Sequence, residues 1–180
     1  MFRILGPKVG VPVALIDFAK GLLATLLLPL LSLGMGERGP VVTVVQAQIL
    51  IACGAVIGHA FPVFAGFRGG KGVATGAGAI VGMLPLLGAA CATLFALVLF
   101  STGIVSLSSL SAAASMVPIY LLVEVWARGR WDPYLLGFLA GITVVIGILH
   151  RRNIRRLASG EEPRYERLRL LRVRRRHKAD

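Results

Sequence analysis

Six apolar runs follow one another along this chain, separated only by short polar stretches, at 11–33, about 41–58, 74–84, 86–101, 107–125 and 134–149. A water-soluble domain of 180 residues cannot hide that much apolar surface: 56% of the residues are hydrophobic and mean hydropathy is +0.80. The solvent is therefore a bilayer, and the expected fold class is an all-α integral membrane protein, a polytopic helical bundle of about six transmembrane helices. The run at 74–84 is short for a crossing. It is either a short span packed deep in the bundle or the first part of the next run, joined to it by a kink at Pro85; Gly76, Gly78 and Gly82 would let another helix approach it closely. The run after Val11 is too long for the apolar part of a cleavable signal, so an uncleaved inner or plasma membrane protein is expected.

Charge fixes the orientation. The formal net charge is +12, yet 12 of the 20 Lys and Arg fall in 151–180, leaving eight for the first 150 residues. A basic tail beside an apolar body points to anionic lipid headgroups on the cytoplasmic side rather than to nucleic acid. An even number of spans returns both termini to that side and brings Arg3, Lys71, Ser106 and His150 to one membrane face. Arg128 and Arg130 fall on the other face, so the charge rule is not obeyed cleanly there. Trp126, Trp131 and Tyr134 bracket their turn as an aromatic belt would. Cys53 and Cys91 both lie inside apolar runs and are read as small buried residues.

The chemistry concentrates in 59–75, HAFPVFAGFRGGKGVAT. Arg68 and Lys71 are the only cations between Arg38 and Arg128, and Gly69, Gly70 and Gly72 surround the lysine. Glycine lets main-chain N–H groups approach phosphate oxygens, and lysine supplies a point charge. The other reading is a plain cytoplasmic turn holding positive charge at the membrane surface. The stretch is not a nucleoside-triphosphate loop, because Ala65 and Gly72 stand where that pattern needs glycine and a hydroxyl. Three histidines without ligand spacing give no metal site. Asp17 and Lys20 can pair across one helical turn, either closing the helix near the interface or supporting a polar site. His150 and Asn153 share a helical face; Ile154 and Leu157 would press that helix into lipid, and Gly160 would end it.

Taken together, GHAFPVFAGFRGGKGVAT, the later VSLSS and HRRNIRRLASGEE resemble the PlsY family, bacterial membrane glycerol-3-phosphate acyltransferases that use acyl phosphate. The likeness runs from about Phe2 to Pro163, and IDFAKG, with Asp17 and Lys20, also resembles the family's second helix. The resemblance implies a seven-helix membrane enzyme that acylates position 1 of sn-glycerol 3-phosphate, releasing phosphate and lysophosphatidic acid without coenzyme A or a metal. It implies catalytic roles for Lys71, His150 and Ser106, and substrate-binding roles for Arg3, Arg68, Gly69, Gly70, Gly72, Asn153 and Glu162. The soluble phosphate acyltransferase that makes acyl phosphate is an implied partner. A small anion transporter or a non-catalytic membrane subunit is the alternative reading.

The chain departs from the family pattern at its start. The first family motif, S-G-N-x-G-A-x-N-x-x-R, follows a first transmembrane helix, and Met1-Phe2-Arg3 fits only its last three positions. The expectation is a membrane-embedded domain over 1–163 lacking the first family helix, with a basic cytoplasmic tail over 164–180. A start codon assigned too late would account for this, and a shortened paralogue is the alternative. Gly103 stands where relatives usually carry a basic residue.

Overall fold

The computed structural model describes residues 2–32, 43–63, 66–67 and 69–166, with side chains in the first helix from Lys8 to Leu27. Each of the six apolar runs forms a helix: α1 Phe2–Ser32, α2 Val44–Ala60, α3 Val73–Met83, α4 Pro85–Thr102, α5 Val105–Tyr120 and α6 Pro133–Leu149. A seventh, α7 Arg151–Ala158, follows at 63° to α6. By length and composition, Lys8–Leu27 of α1, α4 and Val105–Ala127 can each cross a membrane; α6 with α7 adds a fourth if the bent pair is one span. Helix α2, of 17 residues, and α3, of 11, are shorter.

The short α3 is a helix packed deep in the bundle. Gly76, Gly78, Ala79, Ile80 and Gly82 are all buried, and its most extensive packing is against α1. The reason is absent side chains: a Cβ at Gly78 would collide with the Phe18 carbonyl, one at Gly21 with the Thr75 carbonyl, and one at Gly82 with the Thr25 hydroxyl. Backbone therefore lies on backbone, the small-residue packing that membranes favour where no hydrophobic effect separates helices from lipid. Thr25 Oγ1 donates to the Gly21 carbonyl at 3.0 Å and to Ala79 across the seam at 3.4 Å. Gln48 Nε2 ties α2 to the same level through the Thr25 carbonyl, at 3.1 Å. A capping box between Thr43 and Gln46 starts α2.

The bonds from Lys71 to Asn153 and from Ser106 to Glu162 bring the starts of α3, α5 and α7 to one end of the bundle, with the ends of α2, α4 and α6 beside them. The core joins α3, α4, α5 and α6 through Ile80, Leu87, Met116, Tyr120, Leu139 and Ile142. Near the opposite end the fifth run widens into a π-helical turn, Leu121–Ala127, just beyond Pro118. Proline cannot donate a backbone bond to the preceding turn, and the wider turn absorbs the misfit.

Candidate functional site

The polar stretches converge at the end where α2 finishes and α3 begins. The chain leaves α2 at Ala60, breaks at Pro62, and is drawn back when the Gly69 N–H donates to the Ala60 carbonyl at 3.2 Å. Gly72 caps α3 with φ +69°, a left-handed conformation that glycine adopts without steric cost. It also needs to be small, because a Cβ there would press on Val56. The exposed Gly69, Gly70 and Lys71 thus sit immediately before a helix N-terminus, where unpaired N–H groups and the helix dipole favour an anion.

Lys71 Nζ bonds the side-chain carbonyl of Asn153. That bond joins the glycine loop to α7, a helix 82 residues away. Asn153 is held in turn: its Nδ2 donates to Glu162 Oε1 at 2.7 Å. Ser106, at the start of α5, donates to the same oxygen at 2.7 Å, and Arg156 Nε donates to Glu162 Oε2 at 2.6 Å. The carboxylate, only 8% exposed, collects donors from two helices and leaves the Asn153 oxygen to face the lysine. Burial alone would raise its pKa. The bonds from Arg156, Ser106 and Asn153 and the Arg156 charge outweigh burial and hold it at about 2, so it is ionised at neutral pH.

His150 lies at the bend between α6 and α7 and is 3% exposed. Its Nδ1 bonds the Ile146 carbonyl at 2.9 Å, which requires Nδ1 to carry the proton and leaves Nε2 as an acceptor. Burial lowers its pKa first. The Ile146 bond raises it, the Lys71 charge lowers it and Glu162 raises it, for a net downward shift. The ring is therefore neutral near pH 7.

Of the residues expected from sequence, Lys71, Asn153, Glu162 and Ser106 are joined by hydrogen bonds, His150 lies near enough to feel the charges of Lys71 and Glu162, and Gly69, Gly70 and Gly72 are on the adjoining loop. Arg68 lies outside the described residues, as does the Arg3 side chain. Sequence reasoning missed Arg156, although it falls within the HRRNIRRL stretch. It also missed Asp17 as a partner of His59, with Oδ1 to Nδ1 at 3.4 Å, because 42 residues separate the two. Gly103, noted above as a departure from the family pattern, takes φ +71° and packs against Tyr165, whose N–H donates to the Gly103 carbonyl at 2.8 Å. That bond straps the segment carrying Glu162 across the start of α5. The Asp17–Lys20 pair forms at 3.2 Å, and α7 ends at Ala158 before Gly160.

Among the described residues, an all-helical membrane bundle with a glycine loop, a cation and a neutral imidazole at one end defines the class: a polytopic membrane protein with a site suited to an anion. A sequence profile described as Glycerol-3-phosphate acyltransferase matches residues 1–160, and the chain belongs to that family, membrane acyltransferases of phospholipid synthesis. It is 40% identical over 163 residues to the glycerol-3-phosphate acyltransferase of Listeria welshimeri, covering 91% of this chain and 75% of the relative. The Salinibacter ruber enzyme of the same name is 38% identical over 167 residues, 89% of this chain and 72% of the relative. Two crystal structures of PlsY (YgiH), an integral membrane glycerol 3-phosphate acyltransferase, share the fold at 30% identity: the glycerol 3-phosphate form with TM-score 0.74, over 91% of this chain and 74% of that one, and the lysophosphatidic acid form with TM-score 0.73, over 91% and 76%.

Proposed function

We propose that the protein transfers an acyl chain from acyl phosphate to position 1 of sn-glycerol 3-phosphate, giving lysophosphatidic acid and inorganic phosphate. The observation that carries this reading is the bond from Lys71 to Asn153, which brings the glycine loop to the helix that begins at His150. Two phosphate-bearing reactants repel one another, and the cations offset that repulsion before the hydroxyl meets the carbonyl. The N–H groups of Gly69, Gly70 and Gly72, with Lys71, hold a phosphate. Asn153 and the neutral His150 bind the glycerol phosphate, with Nε2 accepting a hydrogen bond from one of its hydroxyls.

The hydroxyl oxygen forms its bond to the acyl carbon, and the bond from that carbon to the phosphate oxygen breaks. The hydroxyl proton passes to the departing phosphate. Phosphate is a good enough leaving group that no covalent enzyme intermediate is needed. Ser106 and Glu162 act through Asn153: they fix its amide so that the oxygen meets the lysine.

An apolar groove suits the acyl part of the donor. A cavity of about 630 Å³ runs between α2 and α6, lined among others by Cys53, Val56, Phe138 and Ile142. Two of its lining residues also lie against α3: Val56 beside Gly72, next to the lysine, and Ile142 beside Gly76. The site faces the cytoplasm of a bacterial inner membrane, the C-terminus lies on that side against anionic headgroups, and a soluble phosphate acyltransferase supplies the donor there. The test is phosphate release from acyl phosphate and glycerol 3-phosphate by the purified full chain in detergent. Release that depends on both substrates supports the reading. Anion flux in liposomes without turnover overturns it in favour of a transporter.

A further inference from the structure

His59 takes no part in the reaction just described, yet it touches the loop on which that reaction depends. It stands in the last turn of α2, and its carbonyl lies against Gly69 while its ring lies against Gly70. A Cβ at Gly69 would strike the His59 carbonyl oxygen, and one at Gly70 would strike ring atom Nε2. On the other side of the ring, Nδ1 lies 3.4 Å from Asp17 Oδ1. That carboxylate also accepts from Lys20 Nζ, at 3.2 Å. Both members of the pair are largely removed from solvent, with side chains 19% and 14% exposed.

An acidic group on a helix read as membrane-spanning is costly unless it is partnered and put to use. Lys20 alone would satisfy the partnering, and Lys20 is mostly exposed. The ring contact is what the i,i+3 pair does not explain. Asp17 on α1 faces one nitrogen of a ring on α2, and the other nitrogen of that ring lies against Gly70, the residue before Lys71. With Nδ1 turned to the carboxylate, Nε2 is the atom presented to Gly70.

Resting on the acyl-transfer reading above, we propose that Asp17 and His59 form a positioning pair. It sets the conformation of the Gly69–Gly70 backbone, and so the affinity of the loop for the phosphate of its substrate. The pair acts through the loop and touches no reacting atom.

The experiment is a mutant cycle on the full chain in detergent. It measures kcat and KM for each substrate, inorganic phosphate binding by calorimetry, and the melting temperature. His59→Ala should raise one substrate's KM and the phosphate Kd by about tenfold with kcat changed less than threefold. Asp17→Asn should do the same more weakly, and the two together should be no worse than His59→Ala, as expected for groups acting as one unit. Gly70→Ala should be damaging in the wild-type background and much less so with His59→Ala, because the ring it would strike is gone. His59→Asn, smaller but still polar, keeps the question open to refutation should the alanine variant fail to fold. Equal losses in kcat and KM-independent stability, or additive effects of Gly70→Ala and His59→Ala, would overturn the pair. Coupled phosphate affinities in a protein without acyl transfer would keep the pair and break the reaction assigned to the site.

Discussion

Two buried glutamates mark the two ends of this molecule, and they are held in opposite ways. Glu124, 4% exposed, sits in the π-helical turn and is bonded by Arg128 at 3.0 Å, four residues along the same turn. The Arg130 N–H returns to the Glu124 carbonyl at 2.6 Å, and Tyr120 OH lies between the Asp132 N–H and carbonyl at 3.0 and 3.2 Å. The bonds of Glu124 itself reach only to Arg128 and Arg130, and those of Tyr120 span only the connection between α5 and α6. Glu162 takes donors from α5 and α7, 56 and nine residues away, and through Asn153 it reaches the loop before α3. A local pair stabilises the turn it sits in. A carboxylate that gathers distant elements fixes their relative positions, and that is what a site for two substrates needs.

The comparison breaks most visibly at Lys71. Lys71→Ala should reduce turnover by at least about 10²-fold, the scale for losing a charge-stabilising donor, with the melting temperature little changed. Phosphate release at near wild-type rates would place the chemistry elsewhere. Glu162→Gln should come next. Glutamine turns one of its N–H groups toward donors that expect an oxygen, leaving a buried bond unmade at about 1–3 kcal/mol. It should lower both thermal stability and turnover, because Asn153 loses its fixed orientation. Glu124→Gln takes the charge partner from Arg128 and should cost about 1–3 kcal/mol in stability, but turnover per folded molecule should match wild type. Equal effects on turnover from the two glutamates would erase the distinction between the ends.

Acid should separate the members of the site. Glu162 has a folded pKa of about 2, below its ordinary 4.5, so its stabilising contribution is complete above about 4.5 and is lost as pH falls towards 2. His150 is also depressed, below 6.5, which means protonating it costs stability once pH falls below its ordinary value. The carboxylate scaffold stays intact down to about 4.5, and the imidazole, its pKa lowered from 6.5 by burial, takes up its proton only below 6.5. Turnover should hold through pH 6.5 and decline below it, and His150→Gln should start lower and lack that component of the decline. A profile identical in the two proteins would remove His150 Nε2 from its assigned part.

The spans and the glycine-lysine loop were legible in sequence because each is written in contiguous residues: apolar runs for the helices, and three glycines around one amine for the loop. The close match of the later runs with α2 to α6 follows from the bilayer, which leaves a backbone few alternatives to helix, whereas α1 already begins at Phe2 rather than at Val11. What was not legible is which contiguous pieces touch. Gly76, Gly78 and Gly82 announced a close approach, but only the fold shows that Gly21 and Phe18 of α1 receive it. The Asp17–Lys20 spacing announced an ion pair, but the approach of the same carboxylate to His59 depends on α2 packing beside α1. The π-helical turn was hidden because Pro118 sits in an otherwise unbroken apolar run, and hydropathy carries no record of hydrogen-bond register.

The smallest effect concerns how far the cross-element site extends into α3. Thr75 is 1% exposed in the first turn of that helix, and among the described residues its Oγ1 is the buried side-chain polar atom without a hydrogen-bond partner. A buried hydroxyl left unpaired carries a desolvation penalty, and an apolar group of the same shape does not. Thr75→Val keeps the branched shape and should raise stability by roughly 1 kcal/mol, read as a small rise in melting temperature, with turnover within about twofold of wild type. A clear loss of turnover without loss of stability would give the hydroxyl a partner in the substrate. The site would then continue one turn into the helix whose glycines lock it to α1, and the functional end and the packing seam would share a residue.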